Sequence, residues 1–302
     1  MISLALMAAA AVLQVQPILT IDPKHRIVEG VASDGKTIWV SSLVDRKILA
    51  CTTASCRTLV TLPGGLHPFA ISWDAKRDRL WVAADCPPGV SFIKACERGA
   101  LLAYDQNGRL KTRIASASGA FHPGDVSAYP TGVYVSDSQS GAVYQLTAKG
   151  QSLEPIVGTG VGKSAQGSAL DLDGRTLIVA DYSKGIAAID LVDGIRTLLP
   201  RAGDKPLRGI DGMVRCGNTY YGVYNGAAPG TLVAIQREGK EVSVAQPLGA
   251  LTLPDPTQIA LTGQRLLVVA DSGWATIDKK DFQRTLGTLI YAIDLPGDCA
   301  VG

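Results

Sequence analysis

The 302-residue chain is poor in several residue types, with three methionines, three histidines, four phenylalanines and four tryptophans, and only 19% of it is charged. Twenty-nine basic residues stand against 27 acidic ones, for a net charge of +2, with no long run of either sign. A nucleic-acid binder needs a concentrated basic stripe, so that class is excluded. The six cysteines include no CxxC pair and the histidines number three, which argues against a structural zinc site. So few histidines, with no Ser-His-Asp constellation in view, also argue against a serine hydrolase. No stretch holds a 3.6-residue apolar period, so helices do not organise the fold. Gly158-Thr159-Gly160-Val161-Gly162-Lys163-Ser164 is one residue short of a phosphate loop, and a strand follows it where a helix N-terminus is required. Gln166-Gly167-Ser168 lacks the second glycine arm and following helix of a nucleophile elbow.

Export is the reading of the N-terminus and the cysteines. Met1–Gln14 is apolar and uncharged, and too short to cross a bilayer, which takes ~20 residues. The small residues Ala8–Ala11 suit a leader-peptidase site, so residues 1–14 read as a signal peptide, the alternative being a buried N-terminal helix or strand. Cys51 and Cys56 lie five apart, Cys86 and Cys96 ten apart, and Cys216 and Cys299 remain. An even count with two close pairs reads as disulfides, although six cysteines allow about 15 connectivities. The expected compartment is therefore the periplasm or the outside, with no membrane span after leader removal and a monomeric chain.

The positive signal is a repeat. A short segment of small and apolar residues is followed ten to twelve positions later by an aromatic or β-branched strand, usually ending in Asp. The first segments are Val28–Ala32, Pro68–Ser72, Pro123–Ser127, Gln166–Ala169, Ile210–Met213 and Thr257–Ala260. Third strands such as Ala142–Leu146 and fourth strands such as Leu110–Ala115 and Leu153–Val157 follow. Four short strands per 40–55 residues describe a propeller blade. The sequence thus predicts an all-β, six-bladed β-propeller over residues 15–302. Its blades fall near 26–62, 66–116, 121–158, 164–200, 207–248 and 253–295. The sixth repeat has no fourth strand, and the orphan segment 15–21 is expected to complete it and close the ring. Asp85, Asp137, Asp181 and Asp271, which end second strands, read as turn caps because they recur.

First strands line a propeller's channel, so equivalent residues converge on one axis. Aligned on Glu29, the register positions are Glu29, Phe69, Gly124, Gln166, Asp211 and Thr257, with Asp125 one residue away. Acidic and amide groups sharing a narrow channel either gather a hard cation such as Ca²⁺ or bind channel water and neighbouring blades. His67 and His122 each precede proline ahead of a first strand and read as mouth residues or as hydrogen-bonded loop histidines. Trp73, Trp274 and Phe282 are aromatic candidates for ligand contact or blade cover.

Val28-Glu29-Gly30, Ile210-Asp211-Gly212-Met213 and Tyr224-Asn225-Gly226 resemble the G-E-G, P-D-G-M and Y-N-G segments of the senescence marker protein (regucalcin)/gluconolactonase family. That resemblance covers nearly the whole chain after residue 14. It implies a calcium-dependent propeller hydrolysing a small lactone or ester, with Glu29, Gln166 and Asp211 as metal ligands and Asp211 also as base. His122, Asp125 and Asn225 would contact substrate, His122 standing where the family has arginine. The family's two asparagine ligands correspond to Gly124 and Gln166, and Gly124 brings no side chain. The rival reading is a non-catalytic binding or scaffolding propeller with a degenerate metal site.

Overall fold

A computed structural model describes residues 13, 15–87, 90, 98–115, 120–201, 205–249, 251–277, 286–297 and 299. Its strands form six four-stranded antiparallel sheets, arranged as a six-bladed β-propeller. The inner strands are Val28–Ser33, His67–Asp74, Pro123–Tyr129, Ala165–Leu170, Ile210–Cys216 and Ile259–Thr262. In blades one to five the remaining three strands follow in sequence order. The expected outer strands Leu110–Ala115 and Leu153–Val157 are present with those bounds.

Blade six is closed by the N-terminus. Val15–Ile21 pairs antiparallel with Thr288–Asp294 and becomes the outermost strand, giving the sheet three strands from the end of the chain and one from its start. The edge left open by the sixth repeat is thereby paired. The proposed leader lies outside the described residues except for Leu13, whose N–H donates to Pro247 O.

The apolar core is a ring of six clusters, each shared by two adjacent blades. Trp39, Ile48 and Leu62 of blade one meet Ile71, Leu80 and Leu102 of blade two. Phe121, Val133 and Tyr144 of blade three pack on Trp81 and Leu101 of blade two, ring edge to ring face for Phe121 and Tyr144. Similar layers join blades three and four, four and five, and five and six. The ring closes where Leu19 and Ile21 of the N-terminal strand and Val269 and Ile290 of blade six pack on Val31, Val40 and Leu49 of blade one. Burial of such layers is the main favourable contribution to folding.

Two of the second-strand aspartates, Asp137 and Asp181, cap turns as their recurrence suggested, and also pin the segment entering their own blade. Asp137 accepts from the backbone N–H of Gln139 and Ser140 in its own turn and of His122 at the blade entry. Asp181 accepts from Ser183 and Lys184 N–H, from Lys163 N–H at the entry, and from Arg196. Cys51 pairs with Cys56 across the third and fourth strands of blade one, and Cys216 with Cys299, tying the C-terminus to blade five. Cys96 lies outside the described residues, so the expected Cys86–Cys96 link is not described. Among the described residues no helix is long and apolar enough to cross a membrane.

Ile21 is 1% exposed and belongs to the cluster that closes the ring. Ile21→Ala is expected to cost about 2–5 kcal/mol in a denaturant titration. A loss under about 0.5 kcal/mol, the range of neutral surface changes, would show that closure does not depend on this strand.

Candidate functional site in the channel

Each inner strand is irregular at the same place. Pairing with the second strand skips residues 29–30 in blade one, 69–70 in blade two, 124 in blade three, 166–167 in blade four and 211–212 in blade five. Such a bulge re-aims a side chain and frees backbone groups. Blade six reaches the same point by another route, its inner strand beginning at Ile259, just after Thr257-Gln258. All six register residues, Glu29, Phe69, Gly124, Gln166, Asp211 and Thr257, line one cavity of about 310 Å³. Ser138, Ser164, Tyr182, Asn225, Asp255 and Trp274 complete its lining.

The glycine after an acidic register residue has a packing reason. A β-carbon at Gly30 would lie 2.6 Å from Phe69 O, and one at Gly212 would lie 2.9 Å from Ile259 N. Both distances are too short for a side chain, so Glu-Gly and Asp-Gly let the next blade's backbone approach. Backbone groups released by the bulges bond laterally. Gly212 N–H donates to Thr257 O, and Thr257 Oγ1 donates to Glu29 O at 2.8 Å. Ser41 Oγ accepts from Gly30 N–H and donates to Phe69 O.

Glu29 and Asp211 are the electrostatic centre. Burial pushes both carboxyls above the usual carboxylate range, and for Glu29 the neighbouring Asp211 adds to the effect. Glu29 Oε2 accepts from the indole N–H of Trp274. Asp211 Oδ2 accepts from Asn225 Nδ2 at 2.9 Å, and the same amide donates to Pro256 O at 3.0 Å. With its nitrogen so engaged, Asn225 Oδ1 is buried without a hydrogen-bond partner. No lysine, arginine or histidine is among the lining residues.

Gln166 and Gly124 are linked. A β-carbon at Gly124 would lie 3.3 Å from Gln166 Oε1 and 2.8 Å from Ser138 Cβ. The longer amide side chain of Gln166 therefore reaches toward the space that a side chain at 124 would take, while its Nε2 contacts Ser164 Oγ at 3.4 Å.

The other expected residues separate. Asp125 is 4% exposed and accepts from Gln258, so a bond between blades three and six crosses the channel. Both residues line a second cavity of about 410 Å³, formed by later residues of the inner strands, including Ser127, Ser168, Met213 and Arg215. Trp73 belongs there too, stacked on Trp39. His122 does not line the Glu29–Asp211 cavity; its Nδ1 is bonded to Asp85 Oδ2 at 2.9 Å. His67 is buried with Nδ1 on Leu43 O, the loop-histidine role. Phe282 lies outside the described residues. Asp255 and Tyr182 were missed by the sequence reading because neither occupies a repeat position, although Asp255 lies two residues before Thr257. Among the described residues, no three His, Cys, Asp or Glu side chains are grouped closely enough to hold a metal on their own, so amide or backbone oxygens would have to contribute.

No protein-family model matches the chain, and no curated protein sequence matches it. Solved structures do resemble it. A gluconolactonase from Xanthomonas campestris aligns at 15% identity over 95% of this chain and 92% of that one, with a TM-score of 0.63. The calcium-binding protein regucalcin from Agrobacterium tumefaciens aligns at 16% identity over 95% of both chains, with a TM-score of 0.60. The PQQ-bound aldose sugar dehydrogenase from Streptomyces coelicolor aligns at 13% identity over 95% of this chain and all of that one, also with a TM-score of 0.60. At these identities the likeness is one of fold, and one ring carries hydrolase and dehydrogenase chemistry alike.

Burial raises Asp125 to about 7, with Gln258 pulling the other way. A carboxyl whose folded value exceeds its unfolded value stabilises the fold most when protonated, and that contribution is lost as pH rises from about 4 to about 7. Asp125→Asn removes this loss while keeping an acceptor for Gln258. The stability of the variant relative to wild type is expected to grow between pH 4 and 7 and stay constant above it. A pH-independent difference in chemical denaturation would contradict the assignment.

Proposed function

We propose that this is an exported, calcium-dependent propeller hydrolase acting on a small lactone or ester. The observation that carries the proposal is the pair of carboxylates, buried Glu29 and partly buried Asp211, facing one cavity whose described lining contains no cationic side chain. Two such groups must take up protons or share a cation. The donor set fits a hard divalent ion: Glu29, Asp211 and Gln166 offer oxygen, and the orphaned Asn225 Oδ1 is a further buried oxygen beside Asp211. A bound Ca²⁺ would polarise the substrate carbonyl and stabilise the oxyanion that develops there.

The remaining work falls to the chain's own side chains. Asn225 fixes one oxygen of Asp211, which leaves the other to face the cavity and take a proton from water. The hydroxyl oxygen adds to the carbonyl carbon, the ester C–O bond breaks, and the departing alkoxide recovers a proton. Phe69, Tyr182 and Trp274 give the walls an apolar, aromatic character, and the described lining offers no cationic side chain to an anion. A neutral substrate with an apolar face fits this cavity better than an acidic or phosphorylated one. Export is supported by the Cys51–Cys56 and Cys216–Cys299 pairs, which belong to an oxidising compartment. The gluconolactonase and regucalcin structures support the reading through their shared fold.

Gly124 and, among the described residues, the lack of three grouped His, Cys, Asp or Glu ligands favour a second reading, a non-catalytic binding propeller. Calorimetric titration with CaCl₂, together with a panel of lactones and aryl esters, separates the two. The enzyme reading expects Ca²⁺ binding that Glu29→Ala and Asp211→Ala abolish, and turnover that a chelator stops. Ca²⁺ binding without turnover of any panel member supports the binding propeller, and no binding at all overturns the metal claim.

A further inference from the structure

The short 3-10 turn Trp274–Thr276 follows the second strand of blade six and stands over the channel beside Glu29. Trp274 is held on two sides. Its ring packs, with Phe69, on the small cluster of Ile27 and Leu43, and its indole N–H donates to Glu29 Oε2. Its backbone position is set by Asp255. One carboxylate oxygen of Asp255 accepts from Ser272 Oγ at 2.8 Å, Gly273 N–H at 2.8 Å and Ala275 N–H at 3.2 Å. Two main-chain bonds zip the same loops together, Asp271 N–H to Pro254 O and Ser272 N–H to Asp255 O.

This junction is strained. Asp255 has φ of 41° and Asp271 has φ of 52°, values that side chains other than glycine seldom adopt, with Asp and Asn among the tolerated exceptions. Strain of this kind persists only where surrounding bonds over-determine it, and it clusters at functional sites. The loop Pro254–Thr257 reaches the rest of the site as well. Pro256 O takes the second proton of the Asn225 amide that holds Asp211, and Thr257 Oγ1 holds the Glu29 carbonyl.

We infer that Trp274 is a positioning residue for Glu29, and that Asp255 in turn fixes Trp274. The inference rests on the proposed cation-dependent reading for its effect on binding, but not for the linkage itself. By engaging Oε2, the indole leaves Oε1 of Glu29 as the oxygen without a partner from this turn, so the carboxylate presents one fixed face. Groups that orient a ligand from behind commonly change metal affinity 10–100-fold when removed. A tryptophan that merely filled space beside Phe69 could be replaced by phenylalanine without such a loss.

Two measurements on the full chain test this. The first is CaCl₂ affinity by calorimetry. The second is the emission of Trp274, taken as the difference between wild type and Trp274→Phe, which removes the contributions of Trp39, Trp73 and Trp81. Trp274→Phe is expected to weaken Ca²⁺ binding about 10–100-fold with an unchanged melting profile. Asp255→Ala is expected to weaken it comparably and to shift Trp274 emission to longer wavelength. Asp255→Asn, whose amide oxygen still accepts from Gly273 and Ala275 and whose backbone tolerates the same φ, should restore the emission and bind Ca²⁺ more tightly than Asp255→Ala. Wild-type affinity in Trp274→Phe, or equal behaviour of the Ala and Asn variants, would overturn the inference. If wild type binds no Ca²⁺, the proposed function fails separately, and the linkage is still read without metal. Glu29→Ala should then shift Trp274 emission, and an unchanged spectrum would refute the contact.

Discussion

The interruption of pairing at one point of each inner strand is the constraint on which the rest of the molecule depends. A regular inner strand would send alternate side chains into the two neighbouring blade interfaces, which are filled by apolar layers. The bulges at 29–30, 69–70, 124, 166–167 and 211–212 break that alternation and turn one residue per blade toward the axis. Backbone groups left without partners inside the blade are used sideways, as in Gly212 to Thr257 and Thr257 to Glu29. The distortion that builds the cavity thus also joins the blades around it. Glycine after Glu29 and Asp211 is part of the same device, since the neighbouring backbone occupies the side-chain space.

Much of this was legible in the sequence because a propeller repeats itself. The repeat placed all six register residues, and the structure brings those same six into one cavity. The orphan segment 15–21 could be assigned to blade six because a missing strand and an unused strand occur at opposite ends of one chain. Asp125 shows the limit of reading by spacing. It is one residue past a register position, and one step along the strand commits it to a channel-crossing bond with Gln258. His122 was placed by analogy with an arginine, yet its ring is committed to Asp85 at the junction of blades two and three. Asp255 and Tyr182 were invisible as site residues because they lie in connections rather than in the repeat, and connections vary freely in sequence; Trp274 stood out only as an aromatic candidate, without its tie to Glu29.

The asymmetry of the ring is informative about its chemistry. Acidic groups come from three consecutive blades, Glu29 from one, Asp211 from five and Asp255 from the entry to six. The facing arc, blades two to four, contributes Phe69, Gly124 and Gln166, with no charge at all. Burial is the main reason the Glu29 carboxyl holds a proton more tightly than an isolated acid would, and Asp211 and then Asp255 add to it. A cation drawn to this field would sit nearer the acidic arc than the axis. Gln166 alone reaches back from the neutral side, across the space that Gly124 leaves open.

That geometry changes what the absence at Gly124 means. Loss of a donor in a symmetric ring would simply subtract one ligand. Here a longer side chain from the next blade occupies the gap, and the loop Pro254–Thr257 supplies organisation from the opposite side. A β-carbon at 124 would meet Ser138 Cβ at 2.8 Å and press on Gln166 Oε1 at 3.3 Å, so the bare backbone at 124 and the long amide at 166 suit each other. Gly124 and Gln166 are therefore parts of one packing arrangement. The cavity is lined with side-chain oxygens, and its acidic groups lie toward blades five, six and one.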